Sequence, residues 1–436
     1  MTARLEDMLR SLLRRGLADG EVFVKRGRSR RVSISPAGEV SVASEEMGWA
    51  VRAGDRRASF FIAGTGELPG DLAFPEPTGG PLRLPEMEAA PPWSEPEDFA
   101  APLAGEREAL KLLSSLGREL AAELPGARLL HAALEDGASE GEIASSRGVR
   151  ARFRNRIATL HLAAAGPGRQ PASTSQYLAA REPRRFQPSA LARRLADRLA
   201  ILGTGAPPER DGGELLLAPP VATRLLAVLL PLFTGPQAVA RLGGLHGGRG
   251  GMASERLTLI DNGRLAGGSL EAPFDGEGVP SREVVLVEDG VFRQPLLAWW
   301  QADGAAPGVA SGCSRRASWR DLPLPGPTHF YVRPDPRATV ASLLGGVERG
   351  FYLIDATGAG RVDLEGDRFA LPVCGFAVAG GRATAPVSRA WMCGSIGALL
   401  RGIVGVGRDL EFQPLSGMLG SPSLLVTGVE LRAAPG

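Results

Sequence analysis

The sequence of 436 residues has few of the side chains that build disulfide frameworks and metal centres, with three cysteines and four histidines. Cys313, Cys374 and Cys393 show no C-x-x-C spacing, and their odd number cannot form a complete set of disulfides. We therefore expect a reducing compartment and predict a cytoplasmic protein. No histidine lies in an H-x-x-x-H or H-E-x-x-H pattern, so the spacing predicts no metal and no other cofactor.

Long apolar runs and an excess of one charge are also missing. The longest apolar window, Leu225–Phe233, falls far short of the roughly 20 residues that a membrane-spanning helix requires. The N-terminal segment is amphipathic and carries acids among its leucines, unlike a signal peptide. The formal net charge is only +2, which indicates no basic surface for nucleic acid. We predict that neither a membrane nor a nucleic acid is a partner.

The chain is rich in alternating apolar segments, glycine and proline, and its length predicts about two or three domains. Nine prolines between Pro69 and Pro102 exclude a helix or a central strand there. The predicted class is α+β, with two modules of helix plus antiparallel hairpins followed by a mainly β domain with a few helices. The predicted divisions are an N-terminal module (1–67), a proline-rich linker (68–104), a middle module (105–208) and a C-terminal domain (209–436).

Short apolar segments predict the individual elements. In the first module we expect strands at Glu21–Arg26, Arg31–Ser35, Glu39–Ala43, Trp49–Arg52 and Ala58–Ala63. In the second we expect helices at Glu106–Leu124 and Pro188–Leu202, with strands at Arg128–Leu134, Glu142–Ser145, Val149–Arg154 and Ile157–Ala164 between them. In the third, helices are predicted at Val221–Leu232, Thr339–Glu348 and Gly394–Val406.

Two acids, Asp275 and Glu277, stand close together in the glycine-flanked stretch FDGEGVP. Paired carboxylates are what acid/base catalysis or a metal site requires. Asp-Gly followed by Gly-Val-Pro is also what a tight turn needs for its backbone geometry alone. The residues themselves favour the turn.

Other patterns have low specificity for chemistry. The glycine-rich stretch 243–251 contains His246 but lacks the lysine and Ser/Thr of a phosphate-binding loop. Ser395 is not in a G-x-S-x-G motif. Cys393 lies at a predicted helix start, where a helix dipole lowers a thiol pKa, although a buried small apolar role is the commoner one for such a cysteine.

The order of several segments resembles the TldD/PmbA family. The phrase D-x-E-G-V-P followed by an acid-glycine turn is the most specific match, and the weaker N-terminal matches extend the resemblance over nearly the whole chain outside the proline-rich linker. The C-terminal segments that carry it are LLLAPPVATRLLAVLLPLFTG (215–235), LTLIDN (257–262), FDGEGVPSREVVLVEDGVF (274–292), FALPVCGFAVAGGRATAPVS (369–388), GSIGALLRGIVGVGRDLEF (394–412) and GSPSLLVTGVEL (420–431).

The resemblance implies one of two kinds of subunit. TldD-type subunits are metallopeptidases with HExxxH on the helix that opens the third segment and a cysteine ligand near the C-terminal end. In this chain the helix reads VATRLLAVLL (221–230) and the late stretch reads GMLGSP (417–422), so both halves of the metal site are missing. This pattern is similar to the TldE (PmbA) type, without catalytic or metal-binding residues of its own.

The implied function is that of a non-catalytic subunit in a TldD/TldE-type metallopeptidase complex that degrades or processes unfolded peptides and peptide precursors. The implied partners are an HExxxH-bearing subunit, or a second copy of this chain, and the peptide. Asp275, Glu277 and Arg282 are then candidates for an interface or peptide-binding turn. The alternatives are a self-associating peptide-binding or scaffold protein without peptidase activity, and an enzyme that uses Cys393 or the paired acids.

Overall fold

A computed structural model describes residues 2–77, 79–88, 101–208, 212–245, 251–302 and 312–434. The fold is a mixed α+β arrangement of several sheets. Three helices and six strands form the N-terminal half: α1 (Thr2–Arg14), β1 (Asp19–Ser35), β2 (Gly38–Gly54), β3 (Ser59–Thr65), α2 (Glu106–Glu123), β4 (Arg128–Ser145), β5 (Arg150–Ala165), β6 (Ser173–Ala180) and α3 (Pro188–Thr204).

The six N-terminal strands form one antiparallel sheet in the order β3-β2-β1-β4-β5-β6. The two predicted modules therefore share a sheet, because β1 of the first pairs with β4 of the second along 14 residues, from Glu21↔Ser145 to Ile34↔Ala132. Each pair of short predicted strands is one long strand, since the polar residues between them continue the ladder. One example is Arg28, which pairs with Glu45 on one side and Ala138 on the other.

Helices cover one face of this sheet. Leucines of α1 pack against Val22, Val24 and Val51 at one end, while α2 and α3 pack against Leu134, Leu160 and similar residues at the other. The opposite face carries a smaller apolar cluster in which Phe23 and Ile143 contact Trp319 of the C-terminal domain. The C-terminal domain thus contacts the face of the N-terminal sheet that lies opposite the helices.

The C-terminal domain has four helices and sixteen strands in the described residues. The helices are α4 (Pro219–Leu229), α5 (Ala238–Leu245), α6 (Val340–Gly345) and α7 (Ile396–Arg401). The strands are β7 (Glu214–Leu217), β8 (Leu259–Asn262), β9 (Glu283–Glu288), β10 (Val291–Phe292), β11 (Ser314–Arg315), β12 (Leu324–Pro325), β13 (His329–Val332), β14 (Arg349–Ala356), β15 (Arg361–Asp363), β16 (Arg368–Ala379), β17 (Arg382–Ser395), β18 (Ile403–Val406), β19 (Glu411–Pro414), β20 (Met418–Ser421), β21 (Leu424–Val426) and β22 (Glu430–Ala433).

Two sheets dominate this domain, in the orders β10-β9-β8-β13-β20-β19 and β18-β21-β7-β14-β16-β17-β22. Their apolar faces and α4 enclose the largest core cluster. The predicted helix 394–406 differs most from the structure, because β17 continues through Ser395 and α7 covers only six residues. Cys393 accordingly lies in a strand and is partly buried, and it does not start a helix.

The proline-rich stretch has neither helix nor strand in residues 68–77 and 79–88. Its apolar side chains nevertheless pack, since Leu82 and Leu84 are only 5% and 4% exposed. The backbone N–H of Leu82 donates to Asp55 O at 2.7 Å. This part of the chain is an extended segment held against the N-terminal sheet. Within the described ranges, no helix is both long enough and apolar enough to cross a membrane.

Candidate functional site

The turn that holds the two sequence-predicted acids lies between the N-terminal sheet and the C-terminal domain. Asp275 organises it: its Oδ1 accepts the N–H of Glu277 at 2.8 Å and of Val279 at 3.0 Å. Its Oδ2 accepts the N–H of Ser314 in β11 at 3.0 Å. Gly278 has φ +81°, a left-handed conformation that favours glycine. Both carboxylate oxygens of Asp275 therefore accept backbone hydrogen bonds, which stabilise the turn and hold it against β11.

Glu277 points to the other side of the turn and is fully buried. Its Oε2 accepts the N–H of Trp299 at 2.7 Å and the hydroxyl of Ser314 at 2.5 Å. Its Oε1 lies 3.4 Å from Nη2 of Arg52, a residue of β2 in the other half of the chain. Glu277 thus connects three segments of the protein.

Arg52 belongs to a buried ion cluster that crosses the junction. It makes a bidentate pair with Glu21 of β1, at 2.9 and 2.7 Å. Arg316 also pairs with Glu21, donates to Gly276 O at 2.8 Å, and stacks over the ring of Phe23. The side chains of Glu21, Arg52, Glu277 and Arg316 are each 6% exposed or less. We call these four residues the junction cluster.

Burial and neighbouring charges shift the pKa values of the acids around this junction in different directions. Burial raises the pKa of Glu277 to about 7; the charge of Asp275 adds to this rise and Arg52 opposes it. Burial also raises the pKa of Asp275, against its three N–H donors, and that of Asp261 to about 6. Burial acts the same way on Glu21, but Arg52 and Arg316 outweigh it and hold its pKa below the ordinary value. Glu277 is therefore the acid of the junction cluster that changes charge near neutral pH.

An apolar groove of about 790 Å³ opens beside the cluster, between β3, residues 75, 76 and 79–83, and the loops of the C-terminal domain. Arg52 lines it together with Phe61, Trp300 and Leu324. Trp300 is 39% exposed and Leu324 57%. Because Glu277 binds the N–H of Trp299, the buried cluster positions the residue next to the exposed tryptophan.

The structure brings two of the three predicted site residues together and separates the third. Asp275 and Glu277 are 2% and 0% exposed, so they face the interior of this chain. Arg282 lies apart, with a half-exposed side chain 3.7 Å from Glu88. The role of the turn in binding a peptide or partner stays a prediction, and in this geometry it would act through the loops that the turn supports.

Sequence reasoning missed Glu21, Arg52, Arg316 and Ser314. Glu21 and Arg316 are 295 residues apart, and Arg52 and Glu277 are 225 apart, so no spacing relates them. The available signal was a charged residue inside an apolar strand, as in the stretches EVFV and AVRAG. Such a residue needs a buried partner of opposite charge.

In the described part of the chain, no group of three or more His, Cys, Asp or Glu is placed to hold a metal ion. Burial lowers the pKa of His329 to about 4. Its Nδ1 bonds Asn262 O at 2.9 Å and its Nε2 accepts the N–H of Leu270 at 3.3 Å. His131 and His161 lie on neighbouring strands with ring centroids 5.5 Å apart. His246, with residues 246–250 of the glycine-rich stretch, lies outside the described residues.

The two segments that the resemblance associates with a metal site do meet. Helix α4 packs against β20, but the helix buries Val221, Ala222, Leu225 and other apolar side chains. The space beside it is an apolar cavity of about 20 Å³, room for about one water molecule. Apolar packing occupies this part of the domain.

The family model described as the PmbA/TldA metallopeptidase C-terminal domain matches residues 212–433, just over half of the chain. The chain belongs to the PmbA/TldD metallopeptidase family.

Individual relatives agree with this assignment. The chain is 29% identical over 170 residues to the metalloprotease TldD homolog of Buchnera aphidicola subsp. Schizaphis graminum, covering 39% of this chain and 35% of the relative. It is 26% identical over 155 residues to the metalloprotease PmbA of Escherichia coli O157:H7, covering 36% and 32%. These matches thus span about a third of each relative's length.

A crystal structure of TldE from Thermococcus kodakarensis superposes with a TM-score of 0.85 at 18% identity, covering 99% of this chain and 100% of that one. At this identity the likeness concerns the fold, which extends over both halves of the chain.

Proposed function

We propose that this chain is a non-catalytic, TldE-type subunit that acts with an HExxxH-bearing metallopeptidase subunit on unfolded peptides and peptide precursors. The observation that carries the proposal is the composition of α4. Its only polar side chains are Thr223 and Arg224. Zinc in proteins is held by Cys, His, Asp or Glu, and a guanidinium stays protonated and donates only.

The other half of the expected site supports the same proposal. The strand that α4 contacts, β20, contributes Met418, Leu419, Gly420 and Ser421, all buried. Neither segment offers a thiolate, imidazole or carboxylate to the space between them. A family member with this interior retains the framework of the peptidase without its metal ligands, so we assign it to binding and assembly.

The groove beside the junction cluster supports a binding role. Its apolar lining and its exposed Trp300, Leu322 and Leu324 form the kind of surface that marks an interaction site. An unfolded peptide or a partner subunit would bury these side chains. Cytoplasmic localisation belongs to the same proposal, since Cys313, Cys374 and Cys393 are all thiols and thiols stay reduced in the cytoplasm.

The test combines metal analysis with reconstitution. The purified chain alone should hold no stoichiometric zinc and cleave no unfolded peptide, by elemental analysis and by a fluorogenic casein assay. Mixed with the HExxxH homologue from the same genome, it should form a discrete complex on size-exclusion chromatography with light scattering, and chelator-sensitive cleavage should rise.

A control variant tests whether cleavage takes place on the partner subunit. Replacing the glutamate of the partner's HExxxH by glutamine should abolish cleavage in the mixture while the complex still forms. If one zinc per chain copurifies with the isolated protein and chelators inhibit its own cleavage, the non-catalytic assignment is wrong. A homologue that stays separate and equally active without this chain would leave the scaffold alternative in its place.

A further inference from the structure

The N-terminal sheet has an open strand position along one half of β2. The neighbouring strand, β3, pairs with β2 from Gly48↔Thr65 to Gly54↔Ser59 and ends there. β2 itself continues to Gly38, paired on its other side with β1 throughout. Among the described residues, no strand lies on the outer side of residues 39–46. Nearly all of these residues are exposed.

One hydrogen bond shows which residues of this edge point their backbone N–H and C=O groups outward. The N–H of Gly66, just after β3, donates to Met47 O at 2.8 Å, so Met47 points its backbone groups to the open side. In an antiparallel strand the direction alternates with each residue, and the β1–β2 register contains no shift. Glu39, Ser41, Ala43 and Glu45 therefore present their N–H and C=O groups outward, as a template for another strand.

The side chains of this edge are apolar on one face and acidic at both ends. Val40 and Val42 are 57% and 53% exposed and project to the same face, since side chains alternate along a strand. Glu39, Glu45 and Glu46 are the only charged residues of 39–46. Across the ladder, Glu39 is opposite Ile34 and Glu46 opposite Gly27, while Glu45 is opposite Arg28, whose guanidinium also donates to Ala101 O.

A second copy of this chain does not fit the position. Antiparallel self-pairing that uses all four outward residues places Ser41 opposite Ala43 and Glu39 opposite Glu45, twice across the twofold axis. Like charges directly opposite each other destabilise a sheet. A strand from another polypeptide with Lys or Arg at these two places, and apolar residues opposite Val40 and Val42, satisfies both the charges and the exposed valines.

We propose that residues 39–46 of β2 are a docking edge that accepts an extended strand of another polypeptide by antiparallel β-strand addition, with basic residues at its two ends. The partner's backbone completes the hydrogen bonds of the four outward residues, and its basic side chains pair with Glu39 and Glu45. This inference is independent of the proposed function, because it uses neither the groove nor α4.

The test uses a fluorescein-labelled synthetic peptide, Lys-Val-Thr-Val-Thr-Val-Lys, which places its lysines opposite Glu39 and Glu45 and valines opposite Val40 and Val42, and a matched peptide in which both lysines are glutamates, measured by fluorescence anisotropy. The full-length protein should bind the lysine peptide about tenfold more tightly than the glutamate peptide, since two cross-strand charge pairs change sign. The Glu39→Lys/Glu45→Lys double variant should reverse this preference. Glu106→Lys/Glu108→Lys makes the same change of charge at exposed positions of α2 and should leave the preference for the lysine peptide unchanged, so a reversal confined to the edge variant is not a general effect of charge.

A second variant tests the backbone. Ala43→Pro removes an outward N–H without removing a hydrogen bond to β1, because proline is accepted on the open side of an edge strand. It should abolish peptide binding while circular dichroism stays unchanged. Three results would overturn the proposal: no binding of either peptide, binding that Ala43→Pro leaves intact, or a homodimer in analytical ultracentrifugation that Ala43→Pro dissolves, which would place a second copy at this edge.

Discussion

Replacing Glu277 by glutamine removes the titrating charge of the junction cluster and keeps the size of the side chain. The amide oxygen can still accept from the N–H of Trp299 and the hydroxyl of Ser314, which lie 2.7 and 2.5 Å from Oε2 in the wild type. What disappears is the ionisation of a buried carboxyl beside Asp275. The comparison therefore isolates the effect of that charge on the free energy of unfolding.

The size of the effect follows from the pKa. Burial raises the pKa of Glu277 from 4.5 to about 7, so the folded protein binds this proton more tightly than the unfolded chain does. The resulting stability is fully present below pH 4.5 and is lost as the pH rises through 7. A difference of about 2.5 pKa units at roughly 1.36 kcal/mol each amounts to about 3 kcal/mol.

Urea unfolding at pH 5 and at pH 8.5 measures this pH-dependent contribution to the free energy of unfolding. Between these values the wild type should lose about 2.5 kcal/mol relative to Glu277→Gln, because pH 5 already lies slightly above the unfolded pKa. His329, whose pKa burial lowers to about 4, titrates in the opposite sense, but both proteins contain it and its effect cancels in the difference. Glu288→Gln, at an exposed pair with Arg293, is the matched control and should show no such change. A wild-type–variant difference that is the same at both pH values would refute the assignment of a raised pKa to Glu277.

Three further predictions concern the junction and the groove. Arg52→Met should destabilise the protein by about 3 kcal/mol or more in urea unfolding, because Glu21 and Glu277 lose a buried partner; exposed Arg10→Met is the control, and equal midpoints for the two variants would contradict the buried pair. Gly48→Ala should cost about 1–3 kcal/mol, since its Cβ would lie 2.1 Å from the ring of Trp319, whereas Gly70→Ala meets nothing within 4 Å; thermal melts that coincide would argue against this close contact. Trp300→Ser leaves the four residues of the junction cluster unchanged and should cost about 1–3 kcal/mol, because the tryptophan is only 39% exposed; the folded variant should nevertheless lower peptide cleavage by the reconstituted complex, and unchanged cleavage would contradict a role of the groove in the proposed function.

The sequence by itself determined the local elements and the family. Alternation and turn residues predicted nine strands in the first two modules, and each overlaps an observed strand, although eight of them are halves of four longer strands. Helix α2 begins at the predicted Glu106. The motif around Asp275 and Glu277 led to the family that the C-terminal match confirms. The apolar character of α4 was equally readable, because a missing imidazole or carboxylate is a property of the residues and needs no coordinates.

Only the tertiary structure decided which distant residues meet. The sequence predicted the acids of the turn, but the basic residue that faces Glu277 comes from β2, and Glu21 joins through Arg52 and Arg316. The merging of two modules into one sheet depends on the pairing of β1 with β4, about a hundred residues further along the chain. Local pattern determines which residues extend and which face they bury. Strand pairing and buried charge pairing are set by long-range packing, which leaves no fixed spacing in the sequence.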